Sequence, residues 1–125
     1  MAKFGQVTTA WFINAPSAVR TANQSFPEIF ANGNTGIRVD IDITALTGTS
    51  VTFTLQYYEA TSGTWLTLLA SAAQVGAAHI TLTVDPRATT SANVALNAIL
   101  PNRMRVTTTG TWNPATFGVV VTFAP

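Results

Sequence analysis

Residues 37–44 read IRVDIDIT, and this stretch decides the fold. Apolar β-branched residues alternate with polar ones: Ile37, Val39, Ile41 and Ile43 against Arg38, Asp40, Asp42 and Thr44. Strict alternation puts the apolar side chains on one face of an extended strand and the charges on the other. A helix would scatter these charges around its circumference. The stretch therefore predicts a strand with one buried face.

The same alternation recurs along the chain between turn-forming residues. It predicts further strands at Val51–Tyr58, Trp65–Leu69, Ile80–Val84, Arg103–Thr108 and Phe117–Phe123. Thr47–Ser50 is short and polar, which favours an antiparallel hairpin between the first two strands, and the turn at Thr61–Gly63 favours a second hairpin. Gly110, Asn113 and Pro114 indicate a loop.

Short strands with turns between them, and no helical period, indicate an all-β fold. We expect an antiparallel β-sandwich or jelly-roll-like barrel of about 7–8 strands. The residues from Ala88 to Leu100 form a long connection, rich in Thr and Asn, which makes a poor helix. With 125 residues, the chain fits one domain spanning 1–125.

Residues 1–30 are the least regular part of the sequence. They are rich in apolar side chains, and Pro16 and Pro27 interrupt them. Two interpretations stay open. The segment is either an N-terminal arm that adds a strand to a neighbour's open sheet edge, or the first strands of the sandwich itself.

The composition favours a protein that works inside an assembly. Charged residues make up 9% of the chain and the net charge is +1, whereas soluble domains carry roughly 25% charged residues. A surface so poor in charge predicts low solubility unless much of it is covered. No stretch supplies the roughly 18 continuous apolar residues of a membrane span. No apolar leader follows Lys3, so we expect the protein to be made and used in a cytoplasm, or to be delivered from one inside a larger object.

Little in the sequence points to catalysis. There is no cysteine and one histidine, His79. No G-x-S-x-G motif frames a nucleophile for it, so we expect His79 only to begin a strand. Asp40 and Asp42 share the polar face of their strand, and we interpret them as a solvated or salt-bridged face. The sequence therefore predicts no enzyme, no cofactor and no metal site.

The arginines and tryptophans favour protein contacts. A net charge of +1 is too small for phosphate binding, so we expect Arg103 and Arg105 to pair with acidic groups of a protein partner and no nucleic acid to bind. Trp65 and Trp112 could stack on sugars if they were exposed. The preferred interpretation places Trp65 in the core and leaves Trp11 or Trp112 to anchor a protein contact.

Three segments together resemble a known group of proteins. They are IRVDIDITALTGT at 37–49, TSGTWLTLLAS at 61–71 and LPNRMRV at 100–106. In this order they resemble small β-rich structural proteins from the head modules of tailed bacteriophages, over roughly Gly36 to Phe123. The resemblance implies a virion protein without enzymatic activity, of a kind that commonly decorates and reinforces capsids, often as a trimer.

The leading hypothesis is a capsid decoration protein on the virion surface, made in the host cytoplasm. Its expected partners are the major capsid protein and other copies of itself. The predicted contact residues are Phe4, Trp11, Phe12, Phe26, Phe30, Arg103, Arg105 and Trp112. The alternatives are a neck, tail-tube or fibre-base component, and a carbohydrate-binding module on the virion.

Overall fold

The structure is a computed structural model, and it describes residues 10–125. Within these residues there are seven strands and no helix, so none that is long and apolar enough to cross a membrane. The strands are β1 (Ala10–Arg20), β2 (Ile29–Phe30), β3 (Gly36–Glu59), β4 (Thr64–Ala70), β5 (Ala78–Val84), β6 (Ala95–Leu96) and β7 (Arg103–Ala124). The prediction of an all-β fold is confirmed.

Two long strands, β3 and β7, form the framework. They pair antiparallel from Gly36 opposite Ala124 to Tyr57 opposite Met104. The pairing changes register three times between Ile43 and Ser50, near the middle of the ribbon. Extra residues at such bulges bend and twist a strand. The β3–β7 ribbon therefore folds over on itself.

Glycine makes the bend possible. Gly48 on β3 has φ +130° and Gly110 on β7 has φ +125°, both in the region that side chains rarely adopt. The two strands also approach closely here. A Cβ on Gly48 would lie 2.5 Å from Cα of Trp112, and one on Gly110 would lie 2.3 Å from the carbonyl oxygen of Ser50. No other residue type fits these positions without moving backbone.

Folding the ribbon creates two half-sheets. The first half-sheet contains β1, the C-terminal half of β7, the N-terminal half of β3, β5 and β6, in that order. The second half-sheet contains β2, the N-terminal half of β7, the C-terminal half of β3 and β4. Each half-sheet has the alternation of buried and exposed residues expected when only one face is covered.

The core lies between the two half-sheets. From the first come the buried faces of β3, β5 and β7, and from the second come Phe53, Leu55 and Val106, all fully buried. The rings of Phe53 and Phe117 meet edge to face at 5.0 Å between centres, one of the arrangements that aromatic pairs prefer. Within 37–44, the side chains that point into the core are the predicted ones. Ile37, Val39, Ile41 and Ile43 are at most 2% exposed.

Two predicted breaks in the chain are wrong. Thr47–Ser50 does not close a hairpin, because the strands before and after it are parts of the single strand β3 and both pair with β7. Asn113 and Pro114 do not form a loop, because β7 continues through them. In both places, residues typical of turns make a bend inside a continuing strand. The predicted hairpin at Thr61–Gly63 is confirmed, since β3 and β4 pair across it.

Two segments with an irregular sequence pattern also contain strands. Two interpretations were open for residues 1–30, and from Ala10 to Arg20 the one that applies is a strand of the chain's own fold, an edge strand that pairs with β7. Residues 1–9 lie outside the described part. In the long connection from Ala88 to Leu100, β6 runs parallel to β5, a short pairing that the sequence pattern did not indicate.

The turn between β3 and β4 is organised by Glu59. Its carboxylate accepts hydrogen bonds from the backbone N–H of Thr61 at 3.1 Å and of Ser62 at 2.7 Å, and from the Ser62 hydroxyl. Hydrogen bonds from Ser62 and then Thr61 lower the pKa of Glu59 to about 2. The ionised form is therefore the one that the folded turn prefers.

We expect the contribution of this turn to the free energy of unfolding to decrease at low pH. Because the folded pKa of Glu59 lies below its ordinary 4.5, the contribution is complete above pH 4.5 and is lost as the pH falls toward 2. The neutral variant Glu59→Gln should be less stable than wild type at pH 6, and the difference should shrink by pH 2.5. Urea unfolding of both proteins at the two pH values measures it. A difference that stays constant with pH would contradict the prediction.

Candidate functional site

Strand β1 has the most exposed apolar side chains of any strand. Trp11 is 66% exposed, Ile13 57% and Val19 66%. Phe12 points inward, where its ring lies 6.0 Å from that of Phe123, and it is still 38% exposed. Isolated apolar residues are normal on a protein surface, but a contiguous apolar patch indicates an interaction site.

The position of β1 explains this exposure. Among residues 10–125 it is the edge of the first half-sheet, and its one partner strand there is β7. Trp11 lies opposite Thr122, and Ile13 opposite Val120, on the outer face of the half-sheet. Pro16 lies in the middle of β1 and removes one backbone donor, which limits the length of edge that another strand could extend.

A groove lies beside β1 on this outer face. It has a volume of about 310 Å³ and is lined by residues of four strands: Ile13, Ala15, Pro16 and Ser17 of β1, Asp40 and Asp42 of β3, His79 of β5, and Gly118 and Val120 of β7. We call it the β1 groove. Gly118 permits its shape, because a Cβ there would lie 2.9 Å from the backbone nitrogen of Ser17. A side chain at position 118 would push β1 away.

One wall of the β1 groove is acidic. His79 lies between two carboxylates, with Nε2 3.1 Å from Asp40 Oδ1 and Nδ1 3.9 Å from Asp42 Oδ1. Asp40 also accepts hydrogen bonds from Thr81 at 3.0 Å and Arg38 at 2.9 Å.

These contacts set the ionisation of the wall. Burial by itself would raise the pKa of the Asp40 carboxyl, but its hydrogen-bond donors outweigh burial and hold the pKa below the ordinary value. The side chain of Asp42 is 67% exposed, and no arginine among residues 10–125 pairs with it. The groove thus has an anionic wall, with Asp42 open to a cation, and an apolar floor.

The outer face of the second half-sheet is organised around arginine. The guanidinium carbon of Arg105 lies 4.3 Å from the ring centre of Trp65, and that of Arg103 lies 4.2 Å from the ring centre of Tyr58. Arg103 forms an ion pair with Glu28 of the same chain. Such stacking on aromatic faces is favourable for guanidinium groups.

Both arginines have partners within the chain, and their predicted contact with another protein stays a prediction. Arg103 has its acidic partner, Glu28, within the chain, and Arg105 donates to Gln56 at 2.8 Å. The sequence had predicted that both arginines pair with acidic groups of another protein. Gln56 lies directly opposite Arg105 in the pairing of β3 with β7, and sequence spacing does not reveal this register.

Two other predicted contact residues lie in the core. Phe26 is 5% exposed and meets Phe117 edge to face at 5.7 Å. Trp112 is 7% exposed, and its Nε1 donates to Asn23 Oδ1 at 2.8 Å. Both were predicted as contact residues, and both are instead buried within the chain: Phe26 in the segment between β1 and β2, and Trp112 on β7. The partial burial of Trp65 beneath two arginines also removes the flat, open ring that a sugar would need.

The remaining predicted residues lie at separate places. Trp11 and Phe12 are neighbours on β1, whereas Phe30 is on β2, 45% exposed and opposite Arg103. Phe4 lies outside the described residues. Sequence reasoning missed Ile13, Val120 and His79 as members of one site. The outward direction of Asp40 and Asp42 was visible in the alternation, but the register that places His79 opposite Asp42 was not.

Comparison with known proteins adds little. No protein family and no curated protein matches the chain. A solved structure from work on the disulfide-linked pili of Bacillus endospore appendages is similar, with a TM-score of 0.44 and 18% sequence identity, over 99% of this chain and 95% of that chain. A likeness at this level carries no inference about what this chain binds or builds.

Proposed function

We propose that this chain is a structural subunit of a bacteriophage head, which binds the assembled capsid lattice and reinforces it without catalysing a reaction. The observation that carries the proposal is the exposed apolar surface of β1, with Trp11, Ile13 and Val19 all more than half exposed at a sheet edge. The resemblance of three segments to phage head proteins supplies the kind of assembly.

The chemistry of the surface supports protein binding. Tryptophan and isoleucine at the centre of an interface lose much water on binding and contribute strongly to affinity. Four of the acidic side chains are already engaged within the chain, by arginines or by the turn at Glu59. Affinity for a partner must therefore come mainly from apolar burial around β1.

Binding of this kind reinforces a shell through mass action. A subunit that binds the assembled lattice, and not its separated components, stabilises the lattice in proportion to the logarithm of its free concentration relative to the dissociation constant. Repetition over many equivalent sites makes a small increment at each site large for the shell. No catalytic group is needed for this role.

The test is co-sedimentation with shells of the cognate major capsid protein, before and after shell expansion. We expect saturable binding at a fixed ratio to capsid subunits. The variant Ile13→Ser should weaken binding by more than about tenfold, because it removes apolar burial at the centre of the contact.

The matched control is Ile99→Ser. Ile99 is 85% exposed and lies outside β1, so its replacement should leave shell binding unchanged. Equal loss in the two variants would show that β1 is not the contact. Failure of wild type to bind either shell would overturn the decoration role and direct the search to neck and tail components.

A further inference from the structure

We propose that the β1 groove binds the segment around Lys3 and Phe4 of a second copy of this chain, so that subunits join head to tail. The inference rests on the proposed role as an assembly subunit, and it names one of the contacts by which such a subunit would associate.

The chemistry of the groove selects the occupant. Asp42 offers an exposed carboxylate at the rim, and the floor is apolar, with Ile13, Pro16 and Val120. A ligand that pairs with the carboxylate and also covers the apolar floor must carry a cation next to a large apolar side chain. Residues 1–9 read MAKFGQVTT, in which Lys3 and Phe4 are adjacent.

Charge complementarity makes this match specific. Of the six basic residues, five are the arginines of the described part. Arg38, Arg87 and Arg103 each pair with a carboxylate of the same chain, and Arg20 and Arg105 stack on buried or neighbouring aromatic rings. Lys3 is the sixth, and Asp42 is a carboxylate that pairs with no arginine among residues 10–125.

The direction of β1 favours a second copy over the chain's own segment. β1 begins at Ala10, opposite Phe123, which is next to the last residue of β7. The groove lies farther along β1, at Ile13 to Ser17. The axis of β1, extended beyond Ala10, points away from the groove, so a contact within one chain would require a reversal of direction before Ala10.

The contact would be heterologous, because the donated segment and the accepting groove are different surfaces. Repetition of one such contact generates a ring if the rotation closes and an open chain if it does not.

The experiment is a charge exchange in the full-length chain, with sedimentation velocity as the readout. Wild type should self-associate, and salt should weaken the association. Lys3→Glu sets a second carboxylate against Asp42, and Asp42→Lys sets a second ammonium group against Lys3. Each variant alone should therefore associate at least about tenfold more weakly than wild type. Thr89→Lys, which adds positive charge on an exposed loop that does not line the groove, should associate like wild type.

Mixing distinguishes the second copy from the same chain. In an equimolar mixture of the two single variants, each segment meets a complementary groove only on the other variant, so the mixture should recover association. Recovery in the double variant Lys3→Glu/Asp42→Lys but not in the mixture would place the contact within one chain and overturn the proposal. A monomeric wild type, or single variants that associate like wild type, would overturn it as well.

These outcomes are separate from those of the shell experiment. A monomer that still binds capsid shells would overturn this inference and leave the decoration role intact. A chain that passes the charge-exchange test of self-association but does not bind shells would support this inference and overturn the decoration role.

Discussion

Replacing Gly110 with alanine is expected to destabilise the protein by about 3 kcal/mol or more, and Gly48→Ala should act similarly. At φ +125° an alanine is strained, which costs on the order of 1–3 kcal/mol. Its Cβ would also lie 2.3 Å from the carbonyl oxygen of Ser50. That contact is with backbone, which cannot rotate away as the end of a side chain can, so the ribbon must shift at its bend.

Urea unfolding followed by tryptophan fluorescence measures this loss, and Gly76→Ala is the matched control. At Gly76 no atom lies within 4 Å of a built Cβ and φ is not in the strained range. Alanine there should be neutral or stabilise by less than about 1 kcal/mol. If Gly110→Ala and Gly76→Ala unfold at the same urea concentration, the ribbon bend does not depend on glycine.

Replacing Phe117 with alanine is expected to cost about 3–5 kcal/mol, the range for loss of a buried aromatic side chain. Phe117 is fully buried and joins the two half-sheets. Its ring meets Phe53 at 5.0 Å, Phe26 at 5.7 Å and Trp112 at 6.2 Å. It also lies 5.0 Å from the guanidinium carbon of Arg20. No neighbouring strand can move in to fill the cavity without breaking its pairing.

The same urea experiment tests this prediction against Phe30→Ala. Phe30 is 45% exposed on the short strand β2, so its loss should cost less than about 1.5 kcal/mol. The slope of unfolding free energy against urea should stay constant in both variants, because the surface exposed on unfolding is nearly the same. A Phe117→Ala protein as stable as Phe30→Ala would show that the half-sheets do not depend on this ring.

The sequence predicted the strands better than their connections. Alternation identifies which side chains point inward, because it depends only on strand geometry, and Ile37 to Ile43 are buried as expected. Thr47–Ser50 and Asn113–Pro114 misled, because glycine and proline serve a bend inside a strand as well as a turn between strands. Only the pairing of both halves of β3 with β7 separates the two cases.

The candidate site was predicted in part. Trp11 and Phe12 were selected for apolar character, and they lie on the exposed edge strand. Phe26 and Trp112 were predicted on the same ground and are buried, since residue type alone does not tell whether a ring will lie on the surface or in the core. The β1 groove could not be predicted, because it depends on the register that brings His79 beside Asp40 and Asp42.

The central place of β7 also governs how the chain can fold. β7 comes after all the other described strands in the sequence, yet β1, β2 and β3 all pair with it. A nascent chain that has emerged only through β6 therefore has its first strands without their main partner. Sheets built from such distant segments form slowly, because a large loop must close, with loss of chain entropy, before the stabilising contacts can form. Until β7 is made, the apolar faces of β1 and β3 remain exposed to aggregation.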